Sequence, residues 1–312
     1  MNPSAANSSA PSATPTQISI HPPARLLFGP GPTQVHPLIY EAMAQPIVGH
    51  LDKYFFEISD QIQAMLRRVY GTKNEKTFVV SATGSGGMET AISNFVFPGT
   101  KVLIFAAGYF ADRICEMATR HGADLVRVER PWGEVVSDAD AAEAIRRERP
   151  EVVGYVTAET STGAFTHGKA ICDAAHEVGA VVIADCVTSL GAMPVDLDAT
   201  GIDIAFSCTQ KGLSCPPGLS PISVSPRAAE RLKSRRQQNT SWYFDIPLIT
   251  DYLMESRRYH HTAPITMFYA LHQGLTLVEA EGLEQRLKRH RRAHEQVVRG
   301  FEQMGLEMYV AE

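Results

Sequence analysis

The sequence lacks a C-x-x-C pair, any apolar run near the roughly 18 residues of a membrane-spanning helix, and an excess of positive charge. Its five cysteines, Cys115, Cys172, Cys186, Cys208 and Cys215, are spread out, so a zinc or dithiol redox centre lacks its spacing and no metal is expected. An odd count, with several in structured segments, points to free thiols in a reducing cytoplasm. Lys and Arg number 29 against 34 Asp and Glu, a net charge of −5, which argues against nucleic acid or an anionic membrane as the main partner. Residues 1–24 contain no arginine and no apolar stretch of the secretory kind. Rich in Ser, Ala and Pro, they read as a disordered tail.

What is present is an ordinary globular composition, 44% apolar and 20% charged over 312 residues, enough for a sizeable core. Short apolar strands alternate with helical stretches. The strands are Thr77 to Val80, Lys101 to Phe105, Ala123 to Val128, Glu151 to Val156 and Ala180 to Asp185. The helices are Asp52 to Tyr70, Met88 to Val96, Phe110 to His121, Asp138 to Arg147 and Lys169 to Val178. Near-continuous apolar strands between helices predict an α/β fold with a parallel sheet covered on both faces. "IDIAFS" and "SPISVS" add two strands, the second expected at an edge. From Pro264 to Met304 the pattern is helical, interrupted near Gly282. There Leu283, Leu287, Ala293, Val297, Val298 and Phe301 are expected on an inner face, with the basic run outside as a solvated surface. A strand is expected from Leu306.

In such a sheet ligands bind beyond the carboxyl ends of the strands. "SATGSGG" follows the first strand and opens a helix; Thr83, Gly84 and Ser85 form either a tight turn or a phosphate cradle. Asp185 ends a buried strand, where a carboxylate needs a cation or donors. It reads either as a cap or salt bridge, or as partner to a protonated ring nitrogen. Lys211 lies in "SCTQKGLSCPPG" among small and hydroxyl side chains, with Gln210 before it. Buried, such an amine would tend to lose its proton and become a nucleophile. "AETSTG", containing Thr160, is a hydroxyl-rich turn, and Phe110 could present an aromatic face. A phosphate cradle, a ring-facing aromatic, an acid for a pyridinium nitrogen and an amine for an aldehyde together describe a site for pyridoxal 5′-phosphate.

The stretches "LLFGPGPTQVHP", "PIVGHLDKYF", "TGSGGMETA", "AETSTG", "VIADCVTSLGAMPVDLDATGIDIAFSCTQKGLSCPPGLSPISVS", "YHHTAPITMFYAL" and "EGLEQRLKRH" resemble the class V aminotransferases of the alanine–glyoxylate and serine–glyoxylate (serine–pyruvate) group. The resemblance runs almost without a break from Leu26 to Gly305. It implies a fold-type-I enzyme whose large domain, residues 25–281, carries a mainly parallel seven-stranded sheet. Residues 282–312 would form a linking helix and the start of a small C-terminal α/β domain, incomplete here. The family's substrate-carboxylate arginine belongs to the remainder of that domain.

The resemblance implies a Schiff-base role for Lys211 and a ring-nitrogen role for Asp185. It gives Phe110 the stacking position, Thr160 the neighbourhood of the ring hydroxyl, and Thr83, Gly84, Ser85 and Gln210 the phosphate. Tyr259 and Thr262 would reach that phosphate from the second subunit of a homodimer with shared active sites. Gly29, Pro30 and Gly31 would lie on the substrate side. The implied reaction is ping-pong transamination of a small L-amino acid, alanine or serine, with glyoxylate or pyruvate as acceptor. Two other readings fit the same residues: a cofactor-binding homologue without transaminase activity, and a cysteine desulfurase using Cys215.

Overall fold

The computed structural model describes residue 20 and residues 22–235 and 237–310. Most of the expected tail lies outside these residues.

In chain order the elements are α1 (Pro37–Met43), α2 (Lys53–Tyr70), β1 (Lys76–Val80), α3 (Gly84–Phe95), β2 (Lys101–Ala106), α4 (Tyr109–Arg120), β3 (Asp124–Glu129) and α5 (Asp138–Glu148). Then come β4 (Val152–Val156), α6 (Lys169–Glu177), β5 (Val181–Asp185), α7 (Leu197–Thr200), β6 (Ile204–Phe206), β7 (Ser220–Val224), α8 (Pro226–Lys233), α9 (Ile246–Leu253), α10 (Ile265–Glu281) and α11 (Leu283–Gln303). The periodicity of α2 is that of a helix with one buried face: Phe55, Ile58, Ile62, Leu66 and Val69 point inward. The Asp52 carboxylate accepts from the Tyr54 N–H at 2.8 Å, and Gly71 in the left-handed region ends the helix.

The seven strands form one sheet in the order β1-β7-β6-β5-β4-β2-β3. β4, β5 and β6 are parallel, as are β2 with β3 and β2 with β4. β7 alone runs antiparallel, to both β1 and β6. The expected edge position of "SPISVS" is therefore wrong: β7 is the second strand and all five of its residues are buried. β1 covers it, because the short return from β6 leaves an unpaired ladder that β1 satisfies on its far side.

One further expectation fails and another holds only in part, with Val298 buried and Leu283 and Leu287 half-buried. No strand forms over 306–310. In α11, Ala293, Val297 and Phe301 are exposed, and the buried residues are Arg286 and Val298. Buried positions along that helix are thus confined to Arg286 near its start and Val298 near its end.

The α3 helix begins at Gly84, earlier than the expected start at Met88. Glycine and serine are poor helix formers, so packing decides the start. A Cβ on Gly87 would fall 1.9 Å from Ser220 Oγ, which is fully buried and donates to Ser207 O at 2.6 Å. Gly→Ala inside a helix ordinarily gains about 0.5–1 kcal/mol, but overpacking a tight core costs about 1–3 kcal/mol. Gly87→Ala is expected to be net destabilising, and thermal unfolding should show Tm lower by several degrees.

Candidate active site

The C-terminal ends of the parallel strands and the helix N-termini that follow them share one edge of the sheet. Asp185 is the last residue of β5, the central strand, in register with Val156 of β4 and Phe206 of β6. Five residues beyond Phe206, on the loop between β6 and β7, stands Lys211. The two side chains therefore share this edge, and the Lys211 charge is among those acting on Asp185.

Asp185 is 3% exposed, and its Oδ1 accepts from the Val187 N–H at 2.8 Å. Burial nevertheless pushes its pKa up from 3.8 to about 7; the Val187 bond and the Arg113 and Lys211 charges pull the other way, while Glu159 adds to the rise. A second buried carboxylate, Asp203, is differently served: Arg227 Nη1 and Ser225 Oγ meet it at 2.8 Å, the Val182 N–H at 3.0 Å and His176 Nε2 at 3.1 Å. Among the described residues Asp185 has no ion pair. A cation beside such a buried acid, a protonated ring nitrogen for instance, would favour its ionised form.

Lys211 is half-buried, not enclosed as expected. Its Nζ donates to Pro30 O at 2.8 Å. The "GPGP" loop lies directly on it: a Cβ on Gly31, whose φ is +134°, would fall 2.5–2.9 Å from the lysine side chain. The Thr33 N–H donates to Gln210 O at 3.1 Å, tying the loop down. Pro30 and Gly31 thus meet the amine directly, while Gly29 has open space around it.

No side chain caps the α3 N-terminus at Thr83, which leaves the first N–H groups, from Gly84 and Ser85, to an anion. The α4 N-terminus differs, because the Glu159 carboxylate takes the N–H groups of Phe110 and Ala111 at 3.2–3.3 Å. Gln210 carries a buried Oε1 without a partner. Rotating its amide would present Nε2 donors, as a bound phosphate requires. Thr160 Oγ1 lies 2.5 Å from Thr188 Oγ1. The open helix start, the orphaned amide and the unpaired acid fit pyridoxal phosphate.

Three contributors carried no assigned role in the sequence. Glu159 seals α4, which bears Phe110, and holds Ser161 through N–H and Oγ at 3.1 and 2.7 Å. Arg113 donates to Ser85 Oγ at 2.9 Å and lies 4.9 Å from the Phe110 ring centroid. Arg286, counted with the solvated basic run, is buried and reaches the Lys211 loop. One signal for Glu159 existed, its place at the end of a buried strand. Tyr259 and Thr262 are both exposed, Tyr259 with its ring 5.0 Å from that of His50. Cys215, the desulfurase candidate, is 1% exposed, its Sγ 3.3 Å from Leu213 O, and burial pushes its pKa up to about 12. Such a thiol is poorly suited to act as a nucleophile.

An amine and a buried acid lie at the carboxyl edge of a mainly parallel sheet, beside an open helix start, an arrangement chemically suited to a cofactor-dependent enzyme of the pyridoxal-phosphate kind. A family model described as aminotransferase class-V matches residues 30–311, and the chain belongs to that family. Class-V aminotransferases use pyridoxal 5′-phosphate for transamination, and the fold is that of fold-type-I enzymes. An (S)-ureidoglycine–glyoxylate transaminase of Bacillus subtilis is 35% identical over 92% of this chain and 73% of its own length. The mouse alanine–glyoxylate aminotransferase is 33% identical over 96% and 73%. The crystal structure of an alanine–glyoxylate aminotransferase from Nostoc sp. superposes with a TM-score of 0.92, at 44% identity, over 96% of this chain and 81% of that one.

The Asp185 pKa has a testable consequence in ligand-free protein. A folded-state value raised above 3.8 contributes stability while the pH is low, and that stability is lost as pH rises through about 7. Asp185→Asn keeps an acceptor for Val187 without the charge. Between about pH 4 and about pH 8 the wild type is expected to lose on the order of 4 kcal/mol relative to Asp185→Asn. Denaturant unfolding across that range measures it.

Proposed function

We propose that this aminotransferase moves the amino group of a small L-amino acid, alanine or serine, to glyoxylate or pyruvate, with Lys211 and Asp185 as its catalytic pair. The observation that carries the reading is the buried, unpaired carboxylate of Asp185 at the same sheet edge as the Lys211 amine. Glyoxylate as acceptor is supported by the names of the Bacillus subtilis and mouse relatives.

Bound pyridoxal phosphate supplies an aldehyde carbon for the amine and a protonated ring that takes up the electron pair released at the substrate Cα. Lys211 would hold the cofactor through its amine and, when that amine is free, would move the proton at the substrate Cα as base and then as acid. Asp185 keeps the proton on the ring nitrogen: facing a cation, its carboxyl ionises, which burial alone resists. Thr83, Gly84, Ser85 and Gln210 receive the phosphate, with Ser85 oriented by Arg113. Phe110, on a helix held by Glu159, would face the ring, and Thr160 would serve the ring hydroxyl. Gly29, Pro30 and Gly31 border the substrate.

The same reading makes the enzyme a homodimer in which Tyr259 and Thr262 complete the neighbouring subunit's phosphate site. It is supported by large apolar side chains left uncovered on one chain, among them Phe28 at 91% exposure, Trp242 and Tyr259. Residues 25–281 form its cofactor domain, and α11 leads on to a second unit. Five free, buried thiols support a cytoplasmic setting. Among the described residues no helix is long and apolar enough to cross a membrane.

Lys211→Ala should abolish turnover, since acid–base help alone is worth about 10²–10⁴ in rate, while retaining some cofactor. A substrate panel of L-alanine, L-serine and (S)-ureidoglycine against glyoxylate and pyruvate measures it; near-intact turnover in the variant would refute the assignment. Visible absorbance that bleaches with an amino donor marks half-transamination, whereas a band indifferent to every donor marks a binding protein. Light scattering should give twice the 34.2 kDa chain mass.

A further inference from the structure

Arg286 is the most deeply buried member of the "RLKRHRR" run, with its side chain 8% exposed. A buried guanidinium is costly unless its N–H groups are met. Here Nε donates to Gly191 O at 3.0 Å, and Nη2 to Gly212 O at 2.6 Å and Ser214 Oγ at 3.1 Å. Nη1 pairs with Glu281 Oε2 at 2.9 Å, and Glu281, held also by Arg289, has its pKa lowered to about 2.

These acceptors belong to two segments. Gly191 is on the loop that follows Asp185, while Gly212 and Ser214 are on the loop that carries Lys211. The segments already touch, since a Cβ on Gly212 would fall 2.2 Å from Leu190 O. Within the second, the Ser214 N–H donates to Lys211 O at 2.9 Å, with Ser214 at φ 55°. The planar fork is the feature that spans carbonyls on both loops; a lysine, with its single nitrogen, would not bridge them in the same way.

We infer that Arg286 is a positioning residue: its guanidinium locks the Lys211 loop against the loop after Asp185 and so fixes where the reacting amine stands relative to the acid. The inference rests on the proposed role of Lys211. A plainer alternative is that Arg286 only staples α10 to α11 through Glu281, and the two differ in what they move.

The test uses full-length protein freed of cofactor. Pyridoxal phosphate is added, the adduct is fixed with borohydride at timed intervals, and the labelled peptide is quantified by mass spectrometry. The amine adds to the aldehyde, water leaves, and hydride fixes the bond. Arg286→Lys is expected to slow adduct formation at Lys211 by about tenfold or more, because misplacing a reacting group by about 1 Å costs on the order of 10²-fold. Hydrogen exchange should quicken in peptides covering 189–193 and 209–215. Glu281→Gln, which spares the carbonyl contacts, should lower Tm while leaving the adduct rate within about twofold of wild type.

Arg286→Lys reacting at the wild-type rate overturns the inference and leaves the functional reading standing. Glu281→Gln slowing as much as Arg286→Lys overturns it in favour of the staple. Wild type yielding no Lys211 adduct overturns the functional reading itself. Where Arg286→Lys does not fold, Ser214→Ala carries the test, since it removes one loop-side acceptor: slowing by about threefold or more supports the inference, and an unchanged rate overturns it.

Discussion

Closing a carboxylate off from water at the end of the central strand is the constraint around which the rest of this edge is arranged. Asp185 receives one backbone N–H, and burial still holds its pKa near 7. The charges that favour its ionised form come from separate elements: Arg113 from α4 and Lys211 from the loop between β6 and β7. Neither forms an ion pair with it; Arg113 is turned to Ser85 and Lys211 to Pro30. Among the described residues the acid is thus left without a cation of its own.

The surrounding scaffold does two jobs, sealing some polar groups and leaving others free. Glu159 spends its carboxylate on the start of α4 and on Ser161, which fixes the helix bearing Phe110 and leaves the α3 start as the open anion site. Asp203, at the opposite end of the strands, is answered by Arg227, His176 and Ser225, so its burial is structural. Two buried aspartates on one sheet thus differ in whether a cation is already in place.

Close approach is the second theme. The Lys211 loop, the loop after Asp185 and the "GPGP" strap meet at distances that admit no Cβ at Gly212 or Gly31. Arg286 enters where the first two of these loops meet and answers carbonyls that would otherwise be shut away from water. The linking helix α11 is thereby connected to the amine-bearing loop at its first turn, while its later apolar residues Val297 and Phe301 stay exposed.

Local pattern was enough for much of this. Runs such as "VVIAD" and "KVLIF" became β5 and β2 because buried parallel strands need apolar residues on both faces, and α2 followed from its own period. Lys211, Asp185 and Thr83 to Ser85 were legible because each ends or follows a strand, where such folds hold ligands. Other features depend on partners distant in sequence. The inner place of β7 needed β1, some 140 residues away; the early start of α3 needed Ser220 against Gly87; the half-exposure of Lys211 needed the "GPGP" loop above it. Arg286 shares its charge and neighbourhood with residues that remain in water, and what sets it apart is the set of acceptors within its reach, two loop carbonyls, the Ser214 hydroxyl and the Glu281 carboxylate. Sequence alone determined which segments are strands and helices and which groups could react, since those depend on side-chain type and spacing. Tertiary structure decided which of those groups are buried, paired or left waiting, because desolvation and hydrogen bonding depend on what the rest of the chain brings near.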